Sequence, residues 1–140
     1  GAAVRASCWM AAPLTAEVAT RWIIDGRAEE ILQDHRDTAE SRRRLATRKL
    51  EGHAFNAPAG SLHVWLQLPD PWRAAQFVSA AQQNRVAVAP AETFAAGRGD
   101  IPHAIRICLG TPRDTAILVK GLDIVADLLA ESDASLSMIV

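Results

Sequence analysis

The amino-acid sequence predicts an α+β fold: a small three-stranded, mainly antiparallel sheet with helices packed on one face, preceded by a long connecting helix. Three observations predict it. Apolar residues recur at helical spacing in four segments and enrich three short, β-favouring runs lying among them. The order is helix, helix, strand, helix, strand, strand, helix, the pattern of a sheet mixed with helices rather than a sandwich or a bundle. The length of 140 residues suits one domain with a real core.

The first helix lies in "APLTAEVATRWIIDG", with Thr15 as the expected N-cap and Glu17 in the first turn. Leu14, Val18 and Trp22 share one face, and Asp25-Gly26 supplies a stop. A long polar helix is expected over 28–50, where Ile31, Leu32, Ala39, Leu45, Ala46 and Leu50 form a thin apolar stripe. Glu40 and Arg44 are spaced to pair across one turn. "EGHAFNAPAGS" reads as a loop. "LHVWLQLP" reads as a strand ended by Pro69. "DPWRAAQFVSAAQQN" is expected to be a helix capped by Asp70 with Pro71 at its first position. "RVAVAP" and "AIRICL" read as strands separated by a glycine-bearing loop. The last helix is expected to start behind a Thr111 cap, with Leu118, Leu122, Val125 and Leu129 as its buried stripe.

Composition narrows the function. With 15 basic and 16 acidic residues, the chain gives no overall electrostatic case for nucleic acid or membrane. Six basic residues face two acidic ones between Arg36 and Lys49, but this excess lies along one helix without interleaved aromatics and reads as a solvated face. No run approaches 18 apolar residues, so no membrane contact is expected. Cys8 and Cys108 form neither a disulfide framework nor a metal spacing, which fits a cytoplasmic location. His35, His53, His63 and His103 are scattered, so no metal site is expected. Nucleophile elbows and phosphate-binding glycine loops are absent. Arg98-Gly99-Asp100 matches an adhesion tripeptide, but so short a match arises by chance, and a loop beside a site is the better reading. Lys49 and Lys120, the two lysines, both fall on helices and read as surface residues rather than Schiff-base formers.

Arg106 is the outlier. It stands inside an apolar strand, where an unpaired charge is costly. Alternation turns Ile105, Ile107 and Leu109 to one face and Ala104, Arg106 and Cys108 to the other. The small neighbours on its own face leave room around the guanidinium. An arginine can take a carboxylate through two parallel hydrogen bonds and stays charged at physiological pH. The pattern alone leaves two readings open: a receptor for a small carboxylic acid, or a structural ion pair with a local Asp or Glu.

The ordered set "PAGSLHVWLQLP", "VAVAPAETF", "IRICLGTPRD" and "GLDIVADLLAE" resembles the C-terminal small domain of the fold type I, pyridoxal-phosphate-dependent aminotransferases. It looks most like the aminotransferase-like domain of MocR-type regulators of the GntR family, which join that domain to a DNA-binding winged helix. Ala91 departs from the family, which commonly has glycine after the proline, and Ala59-Gly60-Ser61 stands where a Gly-Gly pair is usual. The resemblance implies that Arg106 binds the α-carboxylate of an amino-acid substrate or effector, the ligand of the parent being a small amino acid or another amine. Asn56, Ala57 and Gly60 would lie near the domain junction, without assigned contacts. The resemblance further implies that residues 1–25 are a remnant of large-domain helices and that 26–140 is the small domain. The cofactor lysine would lie upstream of residue 1, so pyridoxal 5'-phosphate is expected in the full-length parent and none on this fragment. The parent would be a homodimer touching DNA only through its N-terminal domain. Two alternatives remain: the small domain of a true aminotransferase acting on a 2-oxo acid, and an independent α+β interaction module. No catalytic residue is expected within the fragment itself.

Overall fold

The computed structural model describes residues 12–97 and 99–137, the last six of these as backbone only. Trp9, Met10, Cys8 and Arg98 lie outside the described residues. The chain forms two compact units, 1–37 and 38–140.

In the first unit, helix α1 spans Pro13–Ile24. It starts two residues before the expected cap: Pro13 needs no amide partner in the first turn, and the Thr15 hydroxyl donates back to the Ala12 carbonyl at 2.9 Å. Asp25 closes the helix and Gly26 takes φ +75°, as the Asp-Gly stop requires. Leu14, Val18 and Trp22 are all exposed. Helix α2, Arg27–Lys49, begins in this unit and continues into the second.

The sheet of the second unit has four strands rather than three, all antiparallel, in the order β1-β2-β4-β3. They are β1 (Phe55–Asn56), β2 (His63–Gln67), β3 (Ala89–Pro90) and β4 (Ala104–Cys108). The added strand β1 lies inside the segment expected to be a loop. It is too short to carry a period, and it is secured by ladder bonds to β2 and by the Gln67 amide donating to the Ala54 carbonyl at 2.9 Å. Strand β3 is shorter than expected. Arg85, at φ +63°, turns the chain out of the preceding helix, and Val86 and Val88 pack on the core without joining the ladder.

Helix α3 spans Ala74–Gln83 and starts later than expected. The Asp70-Pro71 pair forms a turn instead, closed by the Trp72 amide on the Pro69 carbonyl at 3.0 Å. That turn brings the Trp72 indole edge-on to Phe77 at 5.1 Å, with its N–H donating to the Leu128 carbonyl. Helix α4 spans Thr115–Ser137. Its first turn is capped by Asp114, whose carboxylate accepts from the Ile117 amide at 2.9 Å, not by Thr111.

One face of the sheet, carrying Val64, Leu66, Ile105 and Ile107, forms the core with Ala46 of α2 and Leu50 just after it, Phe77 and Ala81 of α3, and Leu118, Leu122, Val125 and Leu129 of α4. The expected stripe of α4 is thus fully buried. Of the expected stripe of α2, Ala39, Ala46 and Leu50 are buried, while Leu32 is exposed. Helices therefore pack on one face, and the other carries Arg106.

Glu40 receives two hydrogen bonds from Arg43 and one from Arg44, at 2.7–3.0 Å. These donors hold its carboxyl well down, from 4.5 to about 2. A depressed acid stabilises the folded state above its ordinary pKa and loses that contribution as pH falls through the folded value. The pairing is therefore intact above about pH 4.5 and lost toward pH 2. A carbon-detected NMR titration of Glu40 is expected to show this low midpoint, and Arg43→Gln is expected to move it upward. A midpoint near 4.5 in the parent chain would contradict the network.

Candidate functional site

The second face of the sheet is set by register. Trp65 of β2 lies opposite Arg106 on one side and Ala89 of β3 on the other. His63 lies opposite Cys108, and Gln67 opposite Ala104. Asn56 lies opposite Trp65 and so joins the same face. Alternation in β4 thus places Arg106 as the sequence implies. The roominess expected around it is not found. The neighbours along its own strand are small, as is Ala89 across the sheet, but Trp65 on the other side is large, and cross-strand neighbours are closer than residues two apart on one strand.

Phe94 closes the site from above. It ends a 3₁₀ turn, Ala91–Phe94, that follows β3 directly. The guanidinium carbon of Arg106 lies 4.2 Å from the centre of the Phe94 ring, close enough for a cation–π contact. Trp65 meets Phe94 edge-on, 6.0 Å between centroids at 64°. Periodicity could not have found Phe94, because its contact with Arg106 depends on β3–β4 pairing.

Arg106 is partly buried, and its Nε is buried without a hydrogen-bond partner. Among the described residues, no carboxylate lies within ion-pair distance of it. Every other buried side-chain nitrogen or oxygen among those residues has a hydrogen-bond partner. The structural ion pair that the sequence left open is thus not made within them.

Beside this aromatic pair lies a cavity of about 250 Å³. Trp65, Phe94, Ala95, Gly97, Asp100 and Ile101 are among its lining residues. The glycine-bearing loop supplies part of this lining, with Gly97 at φ +96° making its turn. Cys108, next to Arg106 on the same face, is a free thiol. Burial pushes its pKa up, but hydrogen bonds from Thr111 and the Gly110 backbone, with the Arg106 charge, hold it below the ordinary thiol range. Among the described residues no cluster of His, Cys, Asp and Glu could hold a metal, and no helix is long and apolar enough to cross a membrane.

No family model matches the chain. The kynurenine aminotransferase of Pyrococcus horikoshii superposes on 92% of it with a TM-score of 0.78 and 25% identity. The multiple substrate aminotransferase of Thermococcus profundus covers 95% with a TM-score of 0.79 and 20% identity. This is the C-terminal small-domain fold of the fold type I, pyridoxal-phosphate-dependent aminotransferases. The aminotransferase-like chain spans about one third of each of these enzymes. In sequence it is 30% identical, over 117 residues, to a Bacillus subtilis (strain 168) protein described as the uncharacterized HTH-type transcriptional regulator YdeF. That match takes in 84% of the chain and 25% of the regulator.

The fold family implies pyridoxal phosphate, whose aldehyde needs an amine. Lys49, on α2, pairs with Asp123, and Lys120 is exposed on α4. Both helices pack against the face of the sheet opposite Arg106. Neither lysine lines the cavity. The residues of this aminotransferase-like domain do not fit covalent attachment of the cofactor.

Proposed function

We propose that this chain is the C-terminal part of the pyridoxal-phosphate-binding, aminotransferase-like domain of a GntR/MocR-type transcriptional regulator, in which Arg106 receives the carboxylate of an amino-acid ligand. The observation that carries the ligand role is the unpartnered, buried Nε of Arg106, together with the absence of any carboxylate paired with it among the described residues. A buried guanidinium without a partner is costly, and a ligand carboxylate offsets that cost. The regulator reading rests on the sequence match to the HTH-type protein. In this reading residues 1–25 belong to large-domain helices, and the cofactor and its lysine are supplied by the rest of a cytoplasmic, homodimeric parent. DNA is reached through its N-terminal domain. Closing of the two domains around the ligand would relay occupancy to the DNA-binding part.

A second reading, a true aminotransferase, is favoured by the structural neighbours, which are enzymes. An independent interaction module is disfavoured, because it called for Arg106 to be paired internally. The test uses the full-length protein loaded with pyridoxal phosphate. Each common L-amino acid is titrated against its decarboxylated amine while the cofactor absorbance is followed. At least one amino acid is expected to bind about tenfold or more tighter than its amine, the least that one charged pair contributes. Equal binding of every pair would overturn the carboxylate role. Release of a 2-oxo acid at enzymatic rates would select the aminotransferase over the regulator.

A further inference from the structure

We propose that Phe94 is the positioning residue of Arg106: its ring, braced by Trp65, fixes the plane of the guanidinium and leaves the outer edge for an anion. Arginine has a long, rotamer-rich side chain that does not hold one orientation unless something holds it. Most arginines are held by hydrogen bonds or ion pairs. Arg106 has neither: its Nε is unpartnered and no described carboxylate pairs with it. What remains is the Phe94 ring, 4.2 Å from the guanidinium carbon. A ring at that distance favours the cation electrostatically.

The fold delivers the ring to this place by short steps. Ala89 lies opposite Arg106 and Pro90 opposite Ile105 in the ladder. The 3₁₀ turn then starts at once, anchored by Ala91, which is 3% exposed. Phe94 itself is 41% exposed, so it contributes little to the core. Its orientation comes from the edge of Trp65, 6.0 Å away. A half-exposed phenylalanine held against a charge, with its own brace, is placed for the charge. The positioning stands on this geometry alone; that the anion is a ligand carboxylate rests on the function proposed above.

The test is NMR of the 140-residue chain labelled with nitrogen-15, reading the Nε–H signal of Arg106, assigned by its loss in Arg106→Lys. The signal is expected to be displaced by the ring and protected from water. Phe94→Leu is expected to return it to the position of exposed arginines and to raise its exchange rate about 3- to 30-fold, the range of a cation–π contact. Phe94→Tyr, which keeps the ring, is expected to restore both. An unchanged exchange rate in Phe94→Leu, or no rescue by tyrosine, would overturn the proposal. If Phe94→Leu disturbs the backbone spectrum, Phe94→Met supplies the same comparison. The two proposals fail separately: amino-acid binding unaffected by loss of Arg106 removes the ligand role and leaves these NMR results standing.

Discussion

Replacing Arg106 by alanine in the full-length protein is expected to weaken binding of a carboxylated ligand by about 2–4 kcal/mol, roughly 30- to 1000-fold. The magnitude follows from taking one partner away from a charge pair in a site shielded from water. The Phe94 ring lies 4.2 Å from the guanidinium carbon and Nε is already buried. Water therefore cannot fully replace the lost cation for the carboxylate left behind. Arg106→Lys is expected to recover only part of the loss. A lysine keeps the charge but lacks the two parallel donors and the flat surface that lies under the ring.

The same substitution should hardly change folding. The Arg106 side chain has an unpartnered Nε and no carboxylate paired with it among the described residues, so its truncation orphans no ion-pair partner there. The change in stability is expected to stay within about 1 kcal/mol, as for sites with no buried partner to lose. This split between ligand and fold is the useful readout. Affinity lost with stability kept supports a receptor arginine. Stability lost with affinity kept would mean that Arg106 serves the sheet, and the proposed function would fail.

Much of this site was legible in the sequence because it rests on local rules. Alternation within "AIRIC" correctly put Arg106 on the face away from Ile105 and Ile107. The spacing of Leu118, Leu122, Val125 and Leu129 correctly predicted the stripe that α4 buries. The failures are non-local or competitive. Strand β1 exists through its pairing with β2, and two residues carry no pattern of their own. Thr111 is a good cap by residue type, but it stands four residues before the helix starts, and Asp114 caps it instead. Asp70-Pro71 is a good helix start by residue type, yet a turn there brings Trp72 over Phe77. The surroundings of Arg106 were misjudged for the same reason. Reading along one strand finds Ala104 and Cys108, whereas the residues that define the site, Trp65 and Phe94, come from other elements.

The core should answer as strongly as the site. Phe77→Ala in the 140-residue chain is expected to lower unfolding free energy by about 3–5 kcal/mol, the usual range for emptying a buried phenylalanine position. Phe77 is fully buried on α3, among side chains of the sheet and α4. Its ring also supports Trp72 edge-on at 5.1 Å, and Trp72 in turn donates to the Leu128 carbonyl of α4. Truncation therefore leaves a cavity and also frees the indole that links α3 to α4. Small domains have only about 5–15 kcal/mol in total, so the loss is a large share. Urea unfolding by circular dichroism measures it, with Ile117→Ala as the control. Ile117 is 54% exposed, and its truncation is expected to stay within about 0.5 kcal/mol. Should Phe77→Ala fail to fold, Phe77→Leu gives a graded version, at about 1–2 kcal/mol for a smaller volume change. Equal effects at Phe77 and Ile117 would show that the face opposite Arg106 is not the core. The sheet would then have no firm backing on which to hold Arg106 against Phe94.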